Sequence, residues 1–229
     1  MSLFHKSIAE FIGVFTLVFA GCGATMVVER FPGSLPASAV PVVFGLAVAA
    51  MVYALGHISG AHFNPAVTVA FAVARHFPTK QVLAYGVAQI LGALAATTLL
   101  YFLLPSGQTF GATLPNVEFW QAFVWETVLT FFLMFVIVSV STDTRAIGTM
   151  SGLAIGITVM FCAFIGGPVT GASMNPARSL APALFEQRMD VFWIYLIAPM
   201  IGAMAGALFY ERIRCDDRKE KSKNPEGCC

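Results

Sequence analysis

Charged side chains make up only 11% of the 229 residues, against roughly 25% in a soluble globular domain. With 58% hydrophobic residues and a mean hydropathy of +0.79, the chain lacks the polar surface to cover a globule in water. A soluble fold is excluded, and lipid must be the main solvent. Other absences narrow the field. The five cysteines include no C-x-x-C pair, and no His/Cys/Asp/Glu cluster has the spacing of metal ligands, so neither a metal nor another cofactor is expected. No basic patch with interleaved aromatics is present, which argues against nucleic acid as a partner. No nucleophile, base and oxyanion donor can be assembled, so an enzyme is not expected. No strand-like segment alternates polar and apolar residues, which removes a membrane β-barrel.

What the chain does have is long apolar runs. Six of them, near 7–28, 38–57, 80–104, 119–141, 147–165 and 191–212, can cross a hydrocarbon core of ~30 Å, which takes about 20 helical residues. Because helices satisfy their own backbone groups in lipid, the expected fold is an all-α integral membrane bundle of six transmembrane helices. The first run contains a glutamate and no A-x-A cleavage site, so it reads as a retained span and not a signal peptide. The connectors ERFPGSLP, PSGQTFGATLPN and STDTRA carry turn chemistry. Two further pieces, 64–75 and 175–186, look helical but are too short to span. Each is expected to dip in as a re-entrant half-helix from its own face, tolerated only where it lines a cavity or is buried in protein.

Lysine and arginine set the orientation. With both termini cytoplasmic, that side holds Lys6, Arg75, Lys80, Arg145 and six tail residues, ten in all, against Arg30 and Arg188 outside. Residues 213–229 read as a solvated cytoplasmic tail. Cys22 and Cys162 read as packing residues, and Cys215, Cys228 and Cys229 as free thiols, an acylated Cys228-Cys229 end being the alternative.

The chain repeats itself. AEFIGVFTLVF (9–19) and WETVLTFFLMF (125–135) share the placement of two phenylalanines after a glutamate. SGAHFNPAVTVAFA (59–72) and TGASMNPARSLAPA (170–183) agree at seven of fourteen positions, and AQILGALAA (88–96) echoes APMIGAMAG (198–206). Residues 1–212 therefore read as one domain of two halves, about 7–104 and 119–212. Each half has three spans and one half-helix. Three is odd, so the second half is inserted upside down, and broken helices at matching places point to a site at the midplane.

Asparagine is a favoured helix N-cap and proline is favoured next, so Asn64-Pro65-Ala66 and Asn175-Pro176-Ala177 each start a helix. Capping alone would account for either one. The inversion, however, brings both starts together near the bilayer centre, two positive helix ends of roughly half a charge each. Such a point repels cations and protons, while the carboxamides can still bond a neutral guest. The glycine-rich approaches GHISGAH and GGPVTGAS are expected to be extended, with carbonyls forming a polar track. Arg178, costly in lipid, is placed at the outer mouth, with an ion pair to Glu186 as the alternative. Glu10 and Glu126 read as hydrogen-bonding supports for the re-entrant loops, a proton relay being the other reading. His57 and His62 read as loop anchors in preference to a pH gate. The small-residue spacings near 13, 92 and 202–206 indicate close helix packing.

HISGAHFNPAVT and TGASMNPARS resemble the paired signatures of the aquaporin family (major intrinsic proteins), over about residues 8–212. GGPVTGASMNPARSL and WIYLIAP are most similar to nodulin-like intrinsic proteins and their bacterial relatives. The resemblance implies a homotetramer in a plasma or bacterial inner membrane, each subunit a passive channel for water and small uncharged solutes. Counting from the two asparagines, it implies a selectivity filter of Phe44, Ala163, Ala172 and Arg178. Water-selective members usually carry histidine at the Ala163 position; a methyl group there implies a wider, less polar constriction. Glycerol, urea and undissociated boric or arsenous acid then become candidate solutes beside water, with a strictly water-selective channel as the alternative. Among the positions linked to solute class, Ser179 and Ala183 follow water channels and Leu196 follows glycerol channels; Tyr195 is the fourth. A coupled secondary transporter would need a carboxylate or cation pair where this chain has two asparagines. A membrane-junction protein would need a closed pore.

Overall fold

The computed structural model describes residues 1–104, 109–143, 146 and 148–214. Arg145 and the tail from Cys215 onward, with Cys228 and Cys229, lie outside the described residues. The helices are α1 (Leu3–Arg30), α2 (Ala39–Ser59), α3 (Pro65–Val73), α4 (Val82–Leu103), α5 (Phe119–Thr142), α6 (Ser151–Thr170), α7 (Pro176–Phe185) and α8 (Phe192–Ile213). Six are long and apolar enough to cross a membrane, and α3 and α7 are the short pair. No strand occurs among the described residues, so the chain is an all-helical membrane bundle. Its outer surface is apolar, with Leu83, Phe102 and Trp120 each at least two-thirds exposed, as a lipid-facing surface requires.

The two halves are built alike. α1 packs on α4 and α5 on α8, while α2 meets α6 across the middle. The half-helices cross over: α3 packs on α8, and α7 on α4. Small residues allow these approaches. A Cβ on Gly92 would meet the carbonyl oxygen of Phe11, and one on Gly202 that of Thr127. At the centre, Gly45 and Gly156 face each other reciprocally; a Cβ on either would lie 2.5 Å from the other's carbonyl oxygen.

Two long helices run further than the sequence suggests. α2 continues to Ser59 and α6 to Thr170, so GHIS and GGPVT are helical and not extended. The helix runs through Pro168 to its end at Thr170, where Asn116 caps two of the last carbonyls, which have no partner inside the helix: its Nδ2 donates to Pro168 O at 2.9 Å and its N–H to Val169 O at 2.9 Å. Both helices stop at a glycine, Gly60 at φ +90° and Gly171 at φ +83°, the left-handed conformation that terminates helices and that glycine adopts without a Cβ penalty.

Replacing Gly202 with valine would drive methyl groups into α5. We expect Gly202→Val to cost at least about 1–3 kcal/mol, the usual range for overpacking. The loss should appear as a lowered melting temperature in detergent and a diminished monodisperse fraction on size exclusion.

Candidate functional site

Between the ends of α2 and α6 and the starts of α3 and α7, five residues per half, 60–64 and 171–175, leave the helix. The backbone there is strained: Ala61, Phe63, Ala172 and Met174 have φ of 51°, 50°, 44° and 53°. Non-glycine residues rarely adopt these values, at a cost of about 1–3 kcal/mol each. Two fully buried carboxylates hold the segments in place. Glu10 on α1 accepts from Ser59 Oγ (2.6 Å), His62 N (3.0 Å), Phe63 N (2.7 Å) and Gln89 Nε2 (2.8 Å). Glu126 on α5 accepts from Thr170 Oγ1 (2.6 Å), Ser173 N (2.9 Å) and Met174 N (2.9 Å). Two buried tyrosine hydroxyls complete the grip, Tyr85 donating to Ser59 O at 2.7 Å and Tyr195 to Thr170 O at 2.8 Å.

Both asparagines are buried N-caps. Asn64 Oδ1 accepts from Ala66 N (2.9 Å), and Asn175 Oδ1 from Ala177 N (3.0 Å) and Arg178 N (3.3 Å). Their amides cross over. Asn64 Nδ2 donates to Met174 O at 2.6 Å, and Asn175 Nδ2 to Phe63 O at 2.8 Å. Each NH2 has two hydrogens, so one remains on each side for a guest. The carbonyls of Gly60, Ala61 and His62, and of Gly171, Ala172 and Ser173, meet no protein donor among the described residues. These six carbonyls are therefore open acceptors, over a shorter stretch than the expected track and on an alternating backbone.

Two cavities open along this line. The inner one is narrow and is walled by aliphatic side chains such as Leu17, Val48, Leu133 and Ile155, with Asn64 and Asn175 among its few polar residues. The outer one is much larger and more polar, reaching Thr25, Glu29, Ser38 and Asn116. They share four lining residues: Phe44, Ala163, Ala172 and Arg178. These four come from α2, α6, the second loop and α7, so no local stretch of sequence contains the ring.

Arg178 is 5% exposed. Its Nη1 donates to Gly111 O at 2.6 Å, and its Cζ lies 5.1 Å from the centre of the Phe44 ring. No ion pair joins it to Glu186 among the described residues. Glu186 instead accepts from Phe110 N (2.5 Å) and Ala112 N (2.9 Å), the two amides flanking Gly111. One carboxylate oxygen thereby aims the Gly111 carbonyl at the guanidinium. The segment is fastened again where Thr113 Oγ1 meets Ser179 Oγ at 2.7 Å, itself 2.5 Å from Ser173 Oγ. Residues 109–116 are thus part of the site, which their loop-like composition did not reveal.

The histidines divide. His62 is buried, with Nδ1 3.1 Å from Thr68 Oγ1 and its ring against Phe71, Phe77 and Tyr85. His57 is not a loop anchor: it lies exposed in the last turn of α2 and makes no hydrogen bond among the described residues. Because α2 stays helical to Ser59, His57 is carried away from the loop and Ser59 does the tethering. Leu196 is 39% exposed and lines neither cavity. Tyr195 and Ser179 act through the loop contacts above.

Known proteins resemble this chain over nearly its whole length. The family model described as Major intrinsic protein matches residues 1–210. The chain is 50% identical over 215 residues to Nodulin-26 of Glycine max, covering 93% of this chain and 79% of that protein. It is 51% identical over 224 residues to Aquaporin NIP1-1 of Oryza sativa subsp. japonica, covering 97% and 79%. The X-ray structure of the aquaglyceroporin from Plasmodium falciparum superposes with a TM-score of 0.81 at 28% identity, covering 93% of this chain and 97% of that one.

Glu126→Leu leaves the Thr170 hydroxyl and two loop amides without an acceptor. At about 1–3 kcal/mol per buried donor left unpaired, this variant is expected to lose stable folding, whereas Glu126→Gln, which keeps an acceptor oxygen, should lose less. Thermal unfolding in detergent reads the difference.

Proposed function

The chain belongs to the major intrinsic protein family, and we propose that it carries neutral solutes of glycerol size as well as water. It is a multi-pass membrane channel for water and small uncharged solutes, and not an enzyme. The observation that carries the finer reading is the ring common to both cavities, in which two of four members are alanines, Ala163 and Ala172. A methyl group offers neither the bulk nor the donor of an imidazole. With Phe44 as the one large apolar wall and Arg178 as the fixed donor, the constriction suits a solute with an apolar side and a hydroxyl-bearing side. Glycerol, with a hydrocarbon edge and three hydroxyls, fits that description, and urea and undissociated boric or arsenous acid are neutral hydrogen-bonding solutes small enough for the same ring.

Asn64-Pro65-Ala66 and Asn175-Pro176-Ala177 act in this reading as the midplane site. A solute accepts from the free amide hydrogens of Asn64 and Asn175 while its own hydroxyls donate to the open loop carbonyls. Cations and protons are turned back by two helix N-termini, each of roughly +0.5 charge, and by the Arg178 guanidinium. Glu10, Glu126 and His62 serve as loop supports: every bond to the two carboxylates runs inward to backbone or buried side chains, which favours support over a proton relay. The proposed channel domain is residues 1–212. A homotetramer in a plasma or bacterial inner membrane is what the family resemblance implies, and cytoplasmic termini are favoured by the ten-to-two bias of Lys and Arg.

The test is stopped-flow light scattering on proteoliposomes with water, glycerol, urea and boric acid gradients. Ala163→His is expected to lower solute permeability about tenfold, the factor that goes with about 1.4 kcal/mol of barrier, while reducing water flux less. A wild-type channel that passes water and excludes all three solutes would overturn the proposal.

A further inference from the structure

The wall of the constriction is set from a place that does not line it. On α1, Leu17, Gly21, Thr25 and Val28 follow one another at spacings of four, four and three, which keeps them on one helix face. Leu17 lines the inner cavity, and Thr25 and Val28 line the outer one. Gly21 falls between them, level with the ring shared by both cavities, yet lines neither. The reason is the aromatic ring of Phe44: a Cβ on Gly21 would overlap its Cδ1, Cε1 and Cζ atoms. At this one level α1 contributes only backbone to the wall, and the phenyl ring of α2 sits in the space left for it.

From this we infer that Gly21 is a specificity-determining residue: by receding, it lets the Phe44 ring lie back against α1 and holds the constriction open. The inference rests on the proposed role of the Phe44, Ala163, Ala172 and Arg178 ring. The guanidinium of Arg178 lies over the Phe44 ring, its Cζ 5.1 Å from the ring centre. A methyl group at position 21 points the way Leu17 and Thr25 point, toward the passage. The phenyl group is rigid and its two neighbours are fixed, so it can yield only toward the opening. Gly21 lies inside a regular helix and is not among the residues with positive φ. Alanine there is also the better helix former, so the backbone gives no reason of its own for a glycine.

The experiment uses the full chain in proteoliposomes, comparing Gly21→Ala with Gly23→Ala, Ala163→His, Phe44→Leu and the double variant Gly21→Ala/Phe44→Leu. Gly23 is the control, because a Cβ there meets only the flexible end of Leu100 at 3.2 Å. Gly21→Ala is expected to lower glycerol and urea permeability about tenfold relative to water, one decade of rate, with Gly23→Ala unchanged. The double variant should match Phe44→Leu alone, because the ring that transmits the effect is gone. An unchanged solute-to-water ratio in Gly21→Ala, or a loss that persists in the double variant, overturns the inference. If Gly21→Ala does not assemble, the double variant decides. Recovery of a folded channel supports the slot, and continued failure shows that Gly21 serves something other than the ring. Ala163→His separates the layers: if it narrows the channel and Gly21→Ala does not, only the present inference falls. If neither alters the ratio, the filter reading falls with it.

Discussion

A backbone that leaves the helix inside a membrane must find partners for its amides, because lipid supplies none. Glu10 and Glu126 are those partners. Each carboxylate collects consecutive loop N–H groups together with a hydroxyl from the end of the preceding helix. This pins four strained residues into left-handed backbone. The strain has a consequence for function. Among the described residues it leaves the carbonyls of Gly60, Ala61 and His62, and of Gly171, Ala172 and Ser173, without protein donors, and all of these residues but Gly60 line one of the two cavities. The amides are satisfied inside the protein, and the acceptors remain for whatever passes.

The two halves share this device and then diverge. Thr68 and Ser179 occupy equivalent places, as do Tyr85 and Tyr195, and Ser59 and Thr170. Yet Gln89 gives Glu10 a fourth donor where the second half has Pro199. More important is the residue three positions after each asparagine, Val67 in one half and Arg178 in the other. Only the second half-helix therefore brings a charge to the passage, and the constriction sits off centre, toward the outer cavity. The arginine in turn needs a fixed acceptor, and Glu186 supplies one at second hand by turning the Gly111 carbonyl toward it. The rejected ion pair and the observed arrangement use the same two side chains. A direct pair would tie up the guanidinium, whereas a single carbonyl leaves other N–H donors of Arg178 open among the described residues, as the proposed filter requires.

Much of this was legible in the chain. Low charge and six apolar runs dictate a helical membrane bundle, and the doubled Asn-Pro-Ala marks two helix starts with their caps. The paired glutamates signal buried acceptors because no unpartnered carboxylate is tolerated there. What was misread involves reach. GGPVT looked like loop because glycine and proline usually break helices, but the helix continues to Thr170 and its last carbonyls are capped by Asn116, more than fifty residues away. His57 looked like an anchor because it precedes the loop, yet the helix continues past it and rotates it outward.

Local rules thus determined which segments cross, where the half-helices begin and which residues must be buried acceptors, since capping, hydropathy and helix period act over a few residues. The constriction itself was decided by the tertiary structure. Phe44, Ala163, Ala172 and Arg178 lie on four separate segments, and their spacing depends on how α1, α2, α6 and α7 pack. A glycine on α1 that receives a ring from α2, and a carboxylate that aims a distant carbonyl, have no local signature, because each acts by occupying or vacating space beside a residue far away in the chain.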